Sequence, residues 1–471
     1  MTGKPYRLAS GGSRIDRSKP LTFSFDGRSL SGFAGDTIAS AVQASGQRVF
    51  GRSYKYHRPR GVIGLGSEEM NALIGVGVGA RHEPNLRATQ IELFNGMTAV
   101  TQNRWPSLNF DIGALNNKLS RFFPGGFYYK TFMWPRSFWK HVYEPVIRYA
   151  AGLGKAPEDR DPDTYEHMHI HADVVVVGGG IAGLTAAEAA AAGGVRVLLI
   201  DENPVLGGIA DLTAGKIGEV SVADYAKAAA DRLAVLPNVQ ILSRTTAVGH
   251  FHHNYMMAFE RVGDHDPSIL ANGAPRHRLW KIRAGHIVLA SGALERPIAF
   301  ANNDRPGITL ASAVRGMVER YGVAPGSNGV VFTNNDDAYL TALALKKAGV
   351  NVQIVDSRAR PQGDLVQKAI AEGIEISPSS VISKVEGTLN VKSSPRRRWT
   401  AISSPCRAAG IRRCTCGATT VARSGLTMGL RASVPTRTRM PSRRWVPPTE
   451  PCRLRKRWPR LLPRVRALPR Q

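Results

Sequence analysis

The chain has 471 residues and a formal net charge of +27, a length that suits two or three domains with their own cores. The charge is unevenly placed. About 21 of the 63 Lys and Arg, but a single acid, Glu450, follow residue 391. Residues 1–391 therefore carry only about +7, which argues against a nucleic-acid binder. All four cysteines (Cys406, Cys414, Cys416, Cys452) also lie in that last segment. The body of the chain thus offers no disulfide framework, cysteine-ligated cluster or redox-active cysteine pair. No apolar run reaches the roughly 18 residues of a membrane helix. The first twenty residues lack the apolar core of a secretory signal. A cytoplasmic protein with no membrane partner is expected.

Residues 1–100 open with "LTFSFDGRSLSGFAGDTIASAV", where Leu21, Phe23 and Phe25 alternate on one strand face. Asp26-Gly27 signals a hairpin turn and a second strand. Asp36 or Thr37 can then cap a helix. This β-β-α opening resembles the ubiquitin-like fold of plant-type ferredoxins. The cluster cysteines of those proteins are missing here, so a β-grasp domain without a cluster is expected. "VFGRSYKYHRPRG" (49–61) interleaves basic and aromatic residues. It reads as a loop with packed tyrosines and arginines that are solvated or meet a partner chain, ahead of a phosphate or nucleic-acid surface. Residues 101–171 form an aromatic-rich connector whose side chains are expected to cover domain surfaces. Pro124 and Pro135 argue against a membrane-surface helix there. His167, His169 and His171 alternate before the next strand. They read as hydrogen-bonded structural residues rather than metal ligands, and no metal site is expected.

The segment 172–391 carries the clearest signal. Val174–Val177 is a β-branched run suited to a strand buried on both faces of a parallel sheet. Gly178-x-Gly180-x-x-Gly183 follows at once, then an alanine-rich helix and the strand "VRVLLIDE". This is a dinucleotide fingerprint in its full βαβ context. Gly178 permits the tight turn, Gly180 a close backbone approach to pyrophosphate, and Gly183 close helix–strand packing. The helix start, with the backbone of Ala182, faces the phosphate charge. Asp201 and Glu202 end the second strand beside Asn203. One of the acids is expected to accept from the adenosine ribose, which disfavours NADP. Turn and acid serve NAD and FAD alike. "NPVLGGIA" extends the pattern to Gly208 and Ile209, and "TTAVGHF" adds the backbone of Val248. A second βαβ spans 325–360, but its turn, "TNNDDA", has no glycine pattern, and Asp336 and Asp337 would repel a pyrophosphate. It reads as retained structure. No activated nucleophile or His–acid pair is identifiable, so the catalytic residues stay unknown.

The basic segment 392–471 has no followable period. Its composition fits a GC-rich reading frame entered out of phase. Plausible codons for 401–415, read one base earlier, spell CDLLAVSGGWNPALH, and those for 445–452 spell VGAANGAM. A disordered, out-of-frame tail is expected, ahead of a genuine Arg-rich nucleic-acid tail.

The Glu202-x4-Gly-Gly spacing and "LASGALERP" resemble glutathione-reductase-like flavoproteins. "GDTIASAV", "GRSYKYHRPRG", "SEEMNAL" and "TNNDDAY" together resemble the alpha subunits of heterotetrameric sarcosine oxidases over residues 1 to about 391. That resemblance implies an α/β fold: glutathione-reductase-like Rossmann domains preceded by the β-grasp domain. It also implies NAD on this chain, held by the residues named above. FAD and FMN would lie on or be shared with a partner, among beta, gamma and delta subunits. The whole enzyme would convert the small-molecule amine sarcosine to glycine, with 5,10-methylenetetrahydrofolate and hydrogen peroxide. The family's C-terminal folate domain has no counterpart in 392–471, so a damaged NAD site, no tetrahydrofolate site and an inactive isolated chain are expected. A stand-alone FAD-dependent amine dehydrogenase and a non-catalytic scaffold are the rival readings.

Overall fold

A computed structural model of the chain describes residues 6–122, 131–387, 389, 391, 399–401 and 420–421. The expected disordered, out-of-frame tail lies outside the described residues, apart from two short pieces. Trp399–Ala401 pairs with Ser380–Ile382, and Thr420–Val421 pairs with Glu295–Arg296.

Strands Asp16–Phe25 and Arg28–Ala34 meet through Asp26-Gly27, whose φ values of 50° and 75° make a tight turn. Two positive φ values match the right-handed twist of paired strands, which is why Asp-Gly is favoured there. The inward face buries Phe23 and Phe25, with Leu21 packed against the core they form. The five-stranded sheet has the order Arg28–Ala34, Asp16–Phe25, Thr98–Thr101, Leu73–Val76, Glu83–Arg87, and its second and third strands run parallel. The helix Ile38–Ala44 crosses it, capped by Thr37 in a reciprocal box with Ser40. Thr37, not Asp36, is the cap. Asp36 is fully buried and instead takes the Arg7 guanidinium on both oxygens, at 2.6 and 3.1 Å, plus Ser40 Oγ and the Phe33 amide.

This core is completed from a distance. Met317, Tyr321 and Val323 belong to it, while Val318 of the same helix, Ala311–Tyr321, lies in the core of the second βαβ unit. Arg7 Nη1 also donates to Tyr321 O at 2.6 Å, and the chain around Tyr6–Leu8 hydrogen-bonds to Gly322 and Ala324.

The nucleotide sheet has six strands in the order Val239–Leu242, Val197–Ile200, Tyr165–Val177, His277–Leu289, Tyr255–Arg261, Thr245–Phe251. The first four are parallel and the last two extend them as an antiparallel meander. The leading strand starts at Tyr165, ahead of the valine run. His167, His169 and His171 are therefore strand residues, exposed and opposite Leu279, Lys281 and Arg283. Exposure, rather than structural hydrogen bonding, is their setting. The second βαβ unit follows as Asn328–Thr333, Asp337–Lys347 and Asn351–Asp356, with Glu375–Ser377 added in parallel.

Two further expectations are corrected. The arginines of "GRSYKYHRPRG" are engaged within the chain, Arg58 with 35% of its side chain still exposed, and Tyr54, expected to pack, is 55% exposed. Buried Arg52 donates to the carbonyls of Leu108 and His57, while Arg58 and Arg60 grip Asp304. A buried guanidinium needs acceptors, and these supply them. Nor do the connector aromatics cover domain surfaces: Trp134 is 81% exposed, Tyr149 76%, Phe122 73% and Phe110 68%. Among the described residues, the helix after Pro135, Glu144–Ala150, is too short to lay one continuous apolar face on the body.

Removing the Asp36 carboxylate strands Arg7 in a mostly dry site. Asp36→Ala is expected to cost about 3 kcal/mol, read as a lowered urea midpoint for the N-terminal sheet.

Candidate dinucleotide site

The site is a backbone crossing. Gly178 has φ +104°, and a Cβ there would stand 2.4 Å from Ala290 O. At Gly183 a Cβ would fall 1.8 Å from Gly178 O. Only glycine lets the turn pass this close beneath its own helix. Gly180 differs. Its φ of −73° is ordinary, and a Cβ on it would meet nothing within 4 Å. Local folding does not require glycine there; an approaching ligand would. Gly180 is the N-cap of the helix Ile181–Ala192, with no side chain capping it, so the first amides are left for an outside acceptor. Ala182 is exposed on that first turn.

The second glycine pair seats against the first. Gly207 N donates to Gly179 O at 2.8 Å, and a Cβ on Gly208, which has φ +59°, would stand 3.1 Å from the Gly180 Cα. Ile209 beside it is 63% exposed. From behind, Arg320 Nη2 donates to Gly208 O at 2.6 Å and holds Asp211.

The acids divide their roles. Buried Asp201 accepts the Gly179 amide on Oδ2 at 2.6 Å, and the Asn203 amide and side chain on Oδ1 at 2.8 and 3.0 Å. It ties the glycine turn to the end of the second strand, with little lone-pair capacity left over. Half-buried Glu202 takes only a long contact from Gln90 Nε2, at 3.3 Å. Val248 is exposed at a bulge in Thr245–Phe251, whose first amide donates to Asp201 O at 2.8 Å. The structure thus gathers Gly178, Gly180, Ala182, Gly183, Asp201, Asn203 and Gly208 around one turn, with Glu202, Ile209 and Val248 on adjoining segments.

The "TNNDDA" turn is filled by its own side chains. Asp337 engages buried Arg315, Asp336 engages Arg358, and Asp356 takes Tyr339 Oη at 2.8 Å. Burial and that bond push the Tyr339 hydroxyl above its ordinary range.

The absence of His–acid pairs expected from the sequence does not hold. His57 Nδ1 lies 2.8 Å from Asp111 Oδ2, and His277 Nε2 lies 2.9 Å from Asp264 Oδ2. The partners stand 54 and 13 residues apart, so no spacing reveals them. Both pairs are joined by arginines, Arg52 and Arg276. Glu83, Asp264 and His277 form a cluster with metal-ligand geometry, but Arg276 already binds Glu83 and Asp264 at 2.6 and 2.8 Å. A guanidinium supplies the positive charge there. Burial raises Glu83, and although it also pushes Asp264 up, His277 and Arg276 outweigh it and hold Asp264 below its usual range. Sequence reasoning also missed Gln90, Glu92, Arg244 and Arg261, which reach the acid end of the second strand from the first domain and from the segments after Leu242 and Tyr255. Only the tertiary fold brings them together.

A glycine-rich βαβ turn inside a six-stranded mixed sheet defines a nucleotide-binding oxidoreductase fold. Residues 172–428 match the family model "Pyridine nucleotide-disulphide oxidoreductase", and residues 18–104 match "2Fe-2S iron-sulfur cluster binding domain". The chain belongs to the pyridine nucleotide-disulphide oxidoreductase family, with a ferredoxin-type domain before it. It is 50% identical to the sarcosine oxidase subunit alpha of Rhizobium meliloti (strain 1021), over 78% of this chain and 38% of that protein. It is 36% identical to the subunit of the same name from Corynebacterium sp. (strain U-96), over 81% of this chain and 35% of that one. The chain thus spans little more than a third of these relatives' length. The crystal structure of L-proline dehydrogenase from P. horikoshii superposes with a TM-score of 0.49 at 20% identity, covering 77% of this chain and 57% of that one. No helix among the described residues is long and apolar enough to cross a membrane.

Two outcomes are expected. Gly183→Ala forces a clash with backbone and lowers Tm by several degrees, whereas Gly180→Ala leaves Tm within about a degree of the parent, by circular dichroism. Asp264 has a lowered folded pKa, so its stabilisation is present above the unfolded value, about 3.9, and is lost as pH falls through the folded one. Glu83, raised, contributes with the opposite sign. The loss of stability below about pH 4 is therefore shallower in Asp264→Asn than in the parent, in urea titrations at stepped pH.

Proposed function

We propose that this chain is the dinucleotide-holding component of a multi-subunit flavoenzyme of the sarcosine oxidase type, and that the dinucleotide is NAD. One observation carries the reading. Gly180 is a glycine that the protein's own packing does not require, at the uncapped start of a helix and against Gly208. That is a cradle shaped for pyrophosphate. Gly178 and Gly183 shape the turn, the amides near Ala182 and Gly208 receive the phosphates, and Ile209 and the Val248 backbone border the cofactor. Asp201 keeps the turn in place with Asn203, and Glu202 is the ribose acceptor. Bound NAD would supply a nicotinamide held as structure, while FAD and FMN, held by or shared with a partner subunit, would supply the redox chemistry for the amine.

The relatives' designation as alpha subunits supports assembly with others, for which beta, gamma and delta subunits are the candidates. The exposed aromatic connector supports the same reading. Trp105, Phe110, Trp134, Trp139 and Tyr149 are each exposed large apolar side chains, the kind of residue a partner surface can bury. The assembled enzyme would act on sarcosine, yielding glycine, methylenetetrahydrofolate and hydrogen peroxide. The ferredoxin-type domain serves as a cluster-free scaffold, since residues 18–104 contain no cysteine. The filled "TNNDDA" turn supports a structural role for the second βαβ unit.

Titrating NAD+ into the purified chain, followed by saturation-transfer NMR, tests the assignment. Weak but saturable binding is expected, as a damaged site allows, weakened further by at least about tenfold in Gly180→Ala, for which an unchanged melting curve is expected. A flavin spectrum in the chain expressed alone, with no NAD+ signal, would instead establish the stand-alone flavoenzyme.

A further inference from the structure

A cation stands beside the proposed ribose acids and is held away from them. Arg244 occupies the turn between Val239–Leu242 and Thr245–Phe251, at φ 51°. Its backbone is fastened to the acid segment: Arg244 N donates to Asn203 O at 3.1 Å, and the next amide, Thr245, donates to Asp201 O. In this class of fold a carboxylate at that place takes the free 2′-hydroxyl of NAD, whereas a nearby arginine takes the 2′-phosphate of NADP. Position alone would thus make Arg244 a donor to such a phosphate.

Its side chain is committed elsewhere. Nε and Nη2 form a fork with Glu92 Oε2 and Oε1 at 2.6 and 2.9 Å, each side chain about a quarter exposed. Glu92 comes from the ferredoxin-type domain, 152 residues earlier, where its backbone bridges to Thr37 of the helix cap. The neighbouring cation is committed too. Arg261 donates through Nη1 to Gln90 O and through Nη2 to Glu202 O, at 2.9 and 3.0 Å. The first domain therefore meets the acid end of the second strand with a carboxylate that neutralises Arg244 and a carbonyl, Gln90 O, that shares Arg261 with Glu202 O. A bidentate Arg–carboxylate pair is strong enough to compete with a phosphate for the same fork.

We propose that Glu92 is a specificity-determining residue, which excludes 2′-phosphorylated dinucleotides by retaining Arg244. The inference rests on the dinucleotide reading above.

The test compares the parent chain, Glu92→Gln and Glu92→Gln/Arg244→Gln. The probes are NAD+, NADP+, 5′-AMP and adenosine 2′,5′-bisphosphate, titrated by saturation-transfer NMR. The parent is expected to favour NAD+. Glu92→Gln should lower the NADP+ to NAD+ ratio of Kd values by about tenfold or more, as one charge-assisted contact to phosphate allows. The bisphosphate and 5′-AMP should show the same change, and the double variant should restore the parent ratio. Melting curves establish folding, and Glu92→Asp, which shortens the fork without removing its charge, serves if the glutamine variant does not fold; it should give a smaller shift in the same direction. An unchanged ratio in a folded variant that still binds NAD+ overturns the inference and leaves the dinucleotide reading intact. So does a parent that prefers NADP+. A parent that binds none of the four probes overturns both.

Discussion

The contact on which the nucleotide half depends is the passage of Gly178 beneath Gly183. Backbone lies where a side chain would otherwise stand, and the clearance is set by the missing Cβ atoms. Asp201 then pins the turn through the Gly179 amide, and Gly207 and Gly208 close over it. Each step frees polar backbone on one face while satisfying it on the other. The result is a helix start at Gly180 that no side chain caps.

Elsewhere the structure is fastened by arginines on carboxylates that come from different parts of the chain. Arg7 reaches Asp36, Arg244 reaches Glu92, Arg276 reaches Glu83, and Arg320 reaches Asp211. Their common feature is partial burial. An exposed pair contributes little to stability. A buried one with several hydrogen bonds is costly to break, so these pairs fix how the segments meet more than they add to net stability. The ferredoxin-type domain is thereby made part of the nucleotide domain's wall rather than an appendage.

How much of this was legible follows from the range of each interaction. Phe23, Phe25, the Asp26-Gly27 turn and the βαβ unit of 172–202 are local patterns, with periods of two or 3.6 and a glycine spacing, and each stands where its pattern places it. Gly178 and Gly183 stand in the tight turn and under the helix where their spacing places them, because turn geometry and helix packing are short-range demands. The arginines of "GRSYKYHRPRG" and the His57–Asp111 and His277–Asp264 pairs were not legible. Their partners lie on other elements, and a basic loop and a buried polar network have the same composition. The connector aromatics mislead for a related reason: hydrophobicity shows that a surface will be covered, not by what.

The helix Ala311–Tyr321, with Met317 and Tyr321 in one core and Val318 in another, carries a consequence for biosynthesis. Arg7 meets its acceptor on Tyr321 across 314 residues. At the usual 5–20 residues per second, the ribosome emits the first sheet tens of seconds before the helix that seals it. During that interval Phe23, Phe25 and Ile38 have an incomplete apolar enclosure. The nascent first domain must wait, sheltered or sticky, for a segment not yet made, and its final consolidation coincides with that of the nucleotide domain rather than preceding it.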